Sequence, residues 1–297
     1  MAVAATGFFD GVHLGHASVI GTLVRTARER GDRSLVLTLW PHPRTVLQDD
    51  ARSLRLLTTL QEKKDLLLGM GVDEVAVLPF TRDFASMSAG AYLDLLKTSY
   101  GVSELVLGYD NRLGSDSLLP DALAPLAASK GLGTVVVPAS EQGSGAVSST
   151  RIRAALEQGD VGAAAEMLGR PYMLHGVVVA GNRLGRTIGF PTANMQMYEP
   201  LKLVPGPGSY LVEVCAPGGK FYGMTNIGVR PTVGRDTAVT VETNIFDFSE
   251  DIYGLDISIK FLAAIRKERR FESLDALKVQ LDADRQFCLD LISEARR

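Results

Sequence analysis

The sequence predicts a doubly wound α/β unit with a parallel sheet, followed by an antiparallel β-barrel with a C-terminal helix. Up to about residue 140, short apolar runs alternate with helix-spaced segments. From Met173 onward, strands follow one another across glycine- and proline-rich turns. Between the two, Gly169-Arg170-Pro171 breaks the pattern and places a boundary near residue 170, dividing the chain into 1–170 and 171–297. At 297 residues the chain has material for two separate cores.

In the first part, Val3–Thr6, Ser34–Leu39, Glu74–Leu78, Glu104–Leu107 and Gly133–Val137 read as buried strands. Val19, Ile20, Leu23, Val24 and Ala27 recur at helical spacing between them, as do Tyr92, Leu93, Leu95 and Leu96. Strands joined by helices of this length imply right-handed crossovers and a parallel sheet. Ligands of such sheets sit at the carboxyl ends of the strands, so the loops after Thr6, Leu39, Leu107 and Val137 are the place to look. A helix over roughly Ser149–Leu168 follows. In the second part, Leu174–Ala180, Ser209–Cys215, Lys220–Ile227, Ala238–Phe246 and Leu255–Leu262 read as strands of a closed barrel. Leu274, Leu277, Leu281, Cys288 and Leu291 give the last helix an apolar face.

Composition narrows the function. A hydrophobic content of 46% with 22% charged residues is that of a globular protein. A net charge of -3 offers no broad basic field for a nucleic-acid backbone, so anionic ligands must meet local groups. Cys215 and Cys288 lie far apart without a CxxC or Cys/His cluster, which argues against disulfide or zinc frameworks and for a reducing, cytoplasmic setting. No run of eighteen apolar residues occurs, and MAVAATGFF reads as a first strand rather than a signal peptide. The expected partners are small molecules, with neither nucleic acid nor membrane; nothing sets an oligomeric state.

The densest signal is Gly7-Phe8-Phe9-Asp10-Gly11-Val12-His13-Leu14-Gly15-His16, directly after the first strand. A helix N-terminus at the mouth of the sheet favours phosphate. His13 and His16, three apart, fall on one face of a turn and can donate hydrogen bonds to phosphate groups. As a bland alternative, they simply cap the helix. Ser148-Ser149-Thr150-Arg151-Ile152-Arg153 opens a further helix, with hydroxyls suited either to capping or to a cationic phosphate loop.

HxGH together with SSTxIR resembles the nucleotidylyltransferase superfamily. The longer GFFDGVHLGH resembles the FMN-adenylyltransferase module of bacterial bifunctional riboflavin kinase/FAD synthetases. The likeness continues through Trp40-Pro41-His42-Pro43-Arg44, Leu57-Thr58-Thr59-Leu60 with Lys63, and Gly108-Tyr109-Asp110-Asn111-Arg112-Leu113-Gly114. It implies attack of the FMN phosphate on the α-phosphorus of ATP, with Mg²⁺ present and pyrophosphate leaving. The ATP contacts implied are Gly7, Phe8, Asp10, His13, His16, Asp110, Ser149, Arg151 and Arg153, with His16 catalytic; Asn111 would face the flavin. His42 serves either the ligand or a rigid turn. Two departures stand out: Ser115-Asp116-Ser117 follows Gly114 where the family has an arginine, and only six residues precede Gly7, so the first strand is expected to have less cover.

The second part carries Gly181-Asn182-Arg183-Leu184-Gly185-Arg186-Thr187-Ile188-Gly189-Phe190-Pro191-Thr192-Ala193-Asn194. Glycines at 181, 185 and 189 suggest a flexible phosphate-facing flap rather than a helix. Thr192 and Asn194 share one face of an extended segment, where their oxygens can converge on a hard cation. Glu242 lies mid-strand with Thr240 and Asn244 on the face opposite Val239, Val241, Thr243 and Ile245. It is either solvated or placed for chemistry. The stretch from the flap to Pro-Thr-Ala-Asn resembles the riboflavin kinase signature. That resemblance implies ATP contacts at Gly181, Gly185, Gly189, Thr192 and Asn194, with Mg²⁺ on the last two. It makes Glu242 the catalytic base for the ribityl hydroxyl and puts Arg266, Glu268 and Phe271 on the flavin side. The family often has His where Asn244 stands.

The resemblance implies conversion of riboflavin to FMN and of FMN to FAD with ATP as co-substrate. Three rivals share these motifs: one inactive module, a non-catalytic flavin carrier, or adenylylation of another phosphate ester. Separating the products formed from riboflavin and ATP discriminates them.

Overall fold

The computed structural model describes residues 1–47, 54–138, 147–181, 184–231 and 237–295. Asn182, Arg183 and most of the loop after Val137 lie outside the described residues. By its internal contacts the chain forms two units, Met1–Ser149 and Thr150–Arg297.

In the first unit, β1 (Ala2–Thr6) leads to α1 (Leu14–Arg30), β2 (Arg33–Trp40), a short α2 (Pro43–Leu47) and α3 (Leu60–Gly69). Then come β3 (Glu74–Pro79), the single turn α4 (Arg82–Ala85), α5 (Ala89–Tyr100), β4 (Val102–Gly108), α6 (Pro120–Ser129) and β5 (Gly133–Val137). All strand pairs are parallel, in the order β3-β2-β1-β4-β5. Strand order therefore reverses between β1 and β4, the switch point where such sheets bind ligands. Alternation along the strands builds two cores. Ala2, Ala4, Leu35, Leu37, Leu105 and Leu107 cluster with Tyr92, Leu93 and Leu96 of α5 and Leu123 of α6. Val3, Ala5, Val36 and Val106 cluster with Ile20, Leu23 and Val24 of α1 and Leu67 of α3. Each fully buried leucine stabilises this sandwich by about 1.5–3 kcal/mol. The first strand is not under-covered as its short lead suggested: all five residues are buried, with partners on both sides.

In the second unit, α7 (Ser149–Glu157) and α8 (Val161–Leu168) precede β6 (Tyr172–Val179), the turn α9 (Leu184–Thr187), β7 (Ala193–Met197) and β8 (Gly208–Ala216). β9 (Gly219–Pro231), β10 (Thr237–Ile245), β11 (Asp256–Lys267) and α10 (Leu274–Ala295) complete it. The strands close a barrel in the order β10-β7-β6-β11-β8-β9, every neighbour antiparallel. Leu174, Val212, Val214, Ile227, Val241, Ile257, Ile259 and Phe261 are buried along it. Leu281, Cys288, Leu291 and Ile292 pack α10 against Leu211, Met224 and Phe246, whereas Leu274 is exposed.

Three sequence expectations change. The helix expected over 149–168 is two helices, because Asp160 accepts the Ala163 N–H and starts α8 after a turn at Gly159 (φ 80°). Those helices group with the barrel, α8 packing on β6 and β11 and the Gly206 N–H donating to the Leu156 carbonyl, so the contact division falls about twenty residues before 170. The glycine-rich segment contains one helical turn, α9, rather than an uninterrupted open flap.

Candidate active sites

Beyond β1 the chain turns sharply into α1. Phe9 and Val12 hold positive φ angles of 52° and 40°, flanking Gly11 at 79°. Side-chain-bearing residues, β-branched ones above all, keep such angles only where their surroundings enforce them. Asp10 supplies the enforcement. Its buried carboxylate accepts from the Leu57 N–H through both oxygens (3.0 and 3.1 Å), from the Thr58 N–H (3.1 Å) and from the Thr58 hydroxyl (3.2 Å). The Thr58 hydroxyl also receives the Gly11 N–H at 3.1 Å. Thr59 then caps α3, sharing reciprocal hydrogen bonds with Glu62. The family resemblance implied an ATP contact for Asp10; the structure engages it as the rivet between the turn and the Leu57–Thr58 segment. Gly7 is likewise engaged, its N–H donating to the Leu37 carbonyl.

His13 and His16 come together as their spacing predicted. His13 is the N-cap of α1, its Nδ1 accepting from the His16 N–H, and the two rings stack with centroids 3.7 Å apart. Phe9 meets His16 edge-on at 5.2 Å. Among the described residues His16 Nδ1 is buried without a hydrogen-bond partner. Burial first, then His13 and then Lys63, hold the His16 imidazole well below the ordinary value of 6.5. It is therefore neutral at neutral pH, carrying one N–H to donate.

Under this turn lies Lys63 of α3, fully buried. Its ammonium sits 3.7 Å from the Phe8 ring centroid and 3.3 Å from the Thr38 hydroxyl, which itself donates to the Phe8 carbonyl. Burial pushes Lys63 down to about 8, against the opposing charge of Asp10. His42 stands edge-on to Phe8 at 4.1 Å, and its Nδ1 accepts from the Arg44 N–H, so it serves the turn after β2. Ser149 reaches the same place: its hydroxyl donates to the Asp10 carbonyl at 2.9 Å. Arg151 and Arg153 follow on α7 and group with the second unit, the former exposed and the latter half-buried.

At the switch point Asn111 spans the two central strands. Its Nδ2 donates to the Thr6 carbonyl at 3.0 Å and its Oδ1 accepts from the Gly108 N–H at 2.9 Å. The family resemblance implied a flavin contact for this residue; both ends of its amide are held by backbone. Asp110 beside it is exposed. The departure at Ser115–Ser117 has a structural role: Asp116 accepts the Ala89 N–H opening α5, and the Ser115 N–H donates to the Met87 carbonyl.

In the barrel, register assembles a row that sequence alone could not align. Glu242 of β10 lies opposite Asn194 of β7 on one side and Asn226 of β9 on the other. Asn226 faces Ser209 of β8, whose hydroxyl donates to its amide oxygen at 3.4 Å, and Ser209 faces Arg266 of β11. Glu268, Asn226 and Thr240 all border Gly228, where an added Cβ would lie 2.9, 3.4 and 3.4 Å from them. Glu242 is half-buried, while Val241, Thr243 and Ile245 on the opposite face are buried; the alternation is partial, because Val239 of that face is exposed and Asn244 of the Glu242 face is buried. Arg266 is held by the buried Asp284 of α10 at 2.8 Å, and Phe271 lies 5.5 Å from its guanidinium and 4.8 Å from that of Arg269.

Thr192 lines a cavity of about 430 Å³ together with Arg186, Thr243, Phe248, Asp251 and Tyr253. The segment 248–253 was not read as a site, because no motif marks it. Gly181 allows the Asn194 amide to press onto the backbone: an added Cβ would meet it at 2.2 Å. Gly185 lies within α9 and Gly189 just beyond it, and the Asn244 amide donates to the Pro191 carbonyl at 2.7 Å. Thr192 and Asn194 thus offer two neutral oxygens beside the Glu242 strand. That suits Mg²⁺, which takes few protein ligands and completes its shell with phosphate and water. No cluster of three His, Cys, Asp or Glu able to hold a metal occurs among the described residues.

A turn carrying two stacked histidines at the mouth of a doubly wound sheet, in one chain with a barrel whose carboxylate lies beside oxygen donors, is the build of a two-module nucleotide-dependent transferase. The chain matches the FAD synthetase family model over residues 1–151 and the riboflavin kinase family model over residues 168–292. The bifunctional riboflavin kinase/FMN adenylyltransferase of Bacillus subtilis (strain 168) is 37% identical over 302 residues, covering 99% of this chain and 94% of that protein. Its Escherichia coli (strain K12) counterpart is 37% identical over 288 residues, covering 95% and 90%. The chain belongs to the bifunctional riboflavin kinase/FMN adenylyltransferase family. A crystal structure from Streptococcus pneumoniae described as a macrolide-efflux protein shares its fold, with a TM-score of 0.89 and 32% identity over 96% of this chain and 92% of that one. No helix among the described residues is long and apolar enough to cross a membrane.

Proposed function

We propose that this chain carries out two successive transfers. Riboflavin and ATP give FMN and ADP, and FMN with a second ATP gives FAD and pyrophosphate. The observation that carries the reading is that both family matches fall on units holding the corresponding groups: stacked His13 and His16 in one, and Glu242 in register with Asn194 in the other. We assign adenylyl transfer to the part up to about residue 170 and kinase chemistry to the part beyond it.

In the kinase, Glu242 takes the proton of the ribityl hydroxyl as that oxygen attacks the γ-phosphorus and ADP leaves. The cavity beside Thr192 receives the nucleotide, with the Gly181, Gly185 and Gly189 backbone against its phosphates. Mg²⁺, held by Thr192 and Asn194, supplies charge neutralisation for the phosphates when bound. Arg266, Glu268 and Phe271 orient the flavin. In the adenylyltransferase, the FMN phosphate attacks the α-phosphorus while His13 and His16 donate to the phosphates. Ser149, Arg151, Arg153 and Asp110 complete the nucleotide contacts. No covalent intermediate forms, so positioning and electrostatics carry the rate. Free cysteines, Cys215 exposed and Cys288 buried, suit a reducing cytoplasm.

Incubating the purified chain with riboflavin, ATP and Mg²⁺ and separating the flavins tests the whole reading. FMN should appear first, with ADP, and then FAD, with pyrophosphate. Unchanged riboflavin would refute the kinase, and FMN accumulating without FAD would refute the adenylyltransferase.

A further inference from the structure

A lysine is rarely buried whole, because its ammonium loses the water that solvates it. Lys63 is buried whole beside Phe8 of the Gly7–His13 turn. Nothing in the transfer steps above uses it. Its surroundings are specific: the Phe8 ring at 3.7 Å, and the Thr38 hydroxyl at 3.3 Å, which passes a second hydrogen bond to the Phe8 carbonyl. Phe8 is therefore held both by its ring and by its backbone.

We propose that Lys63 is a positioning residue for adenylyl transfer, a cation set beneath the Gly7–His13 turn that fixes Phe8 and places positive charge under the two histidines. This rests on the assignment of adenylyl transfer to the first unit. Lys63 touches no substrate, being fully enclosed; it acts through Phe8 and His16. A charge in a water-poor site acts at longer range than one in solvent, so it draws phosphate oxygens toward the turn. The same charge disfavours a second positive charge on His16 and keeps that imidazole a neutral donor. The charged and titratable groups facing this centre are His13 on the same turn, His42 against Phe8, Lys63 on α3, and Asp10, whose carboxylate favours the Lys63 ammonium. With Lys63 titrating at about 8, the ammonium form predominates at neutral pH.

The test uses the full chain with Lys63→Met, which keeps length and removes charge, and Thr38→Val, which keeps the charge and removes the link to the Phe8 carbonyl. FAD formation from supplied FMN, FMN formation from riboflavin, and the His16 titration followed by NMR are measured for each. Lys63→Met should lower kcat for FAD formation roughly tenfold, less than the about 10²–10³-fold typical of losing a direct donor. FMN formation should stay unchanged and the His16 midpoint should move upward. Thr38→Val should lower kcat for FAD formation severalfold while leaving the His16 midpoint in place. A folded Lys63→Met chain with wild-type kcat and His16 midpoint overturns the proposal. If that variant does not fold, an unaltered kcat in Thr38→Val overturns it. Should the wild-type chain form no FAD, the assignment to adenylyl transfer fails instead, and the His16 midpoint still reads the electrostatic link.

Discussion

The imidazoles of His13 and His16 lie stacked, their planes 16° apart and their centroids separated by 3.7 Å. Two positive charges so close in a buried setting repel strongly, which adds to burial in holding His16 neutral. Replacing His16 by Ala should therefore reduce FAD formation by about 10²–10³-fold, the usual cost of one positioned donor. FMN formation should be untouched, since the kinase groups lie in the other unit. Rates for both steps in that variant check this; an unchanged FAD rate in a folded protein removes His16 from the chemistry.

Stability of the first unit should depend on pH through the same residue. Folding holds His16 below its ordinary value of 6.5, so below that pH the unfolded chain takes up a proton that the native unit refuses. Where the unfolded state binds more protons, stability rises with pH. The unit should thus lose stability as pH falls through 6.5, until the native value is reached, at a slope of at most about 1.4 kcal/mol per pH unit. His16→Gln should shrink that loss between pH 7.5 and 5.5 in thermal melts. Equal losses in both proteins would assign the effect to other groups.

Glu242 should be the residue on which phosphorylation of riboflavin depends most. A positioned base contributes about 10²–10⁴-fold, and glutamine at 242 keeps the shape but cannot take a proton. Glu242→Gln should abolish most FMN formation, retain riboflavin binding and leave FAD formation from supplied FMN intact. Near-normal FMN output would return Glu242 to a solvated surface role.

The packing of α7 and α8 bears on where the kinase can be cut free. A fragment beginning at Thr150 retains the Leu156 carbonyl that receives the Gly206 N–H, and the buried Val161, Ala164 and Leu168 of α8. One beginning at Met173 exposes the barrel surface that α8 covers. The longer fragment should convert riboflavin to FMN alone and melt higher than the shorter one. Equal melting temperatures would show that these helices add nothing to the barrel.

Much of this was legible because the signals are local. Strands declare themselves by apolar runs, and β5 lies where its run of Gly133–Val137 put it, although at the edge of the sheet it is only partly buried. His13 and His16 share a turn, so spacing alone brought them together. What escaped is set by distant pairing. That Glu242 stands between Asn194 and Asn226 follows from registers among strands up to 48 residues apart, which no local pattern encodes. Asp10 carried a motif's implied role, yet its carboxylate accepts hydrogen bonds from Leu57 and Thr58, 47 and 48 residues onward. Lys63 gave a different warning: a lysine on the inner side of a helix breaks the apolar pattern, and that breach was the available clue.

Asn111 has a consequence for the sheet itself. Open parallel sheets leave a crevice where strand order reverses, and here one carboxamide bridges it, tied to Thr6 on one bank and Gly108 on the other. The two strand ends are thereby pinned to each other at the seam, and the Thr6 carbonyl and Gly108 N–H are both engaged within the fold itself.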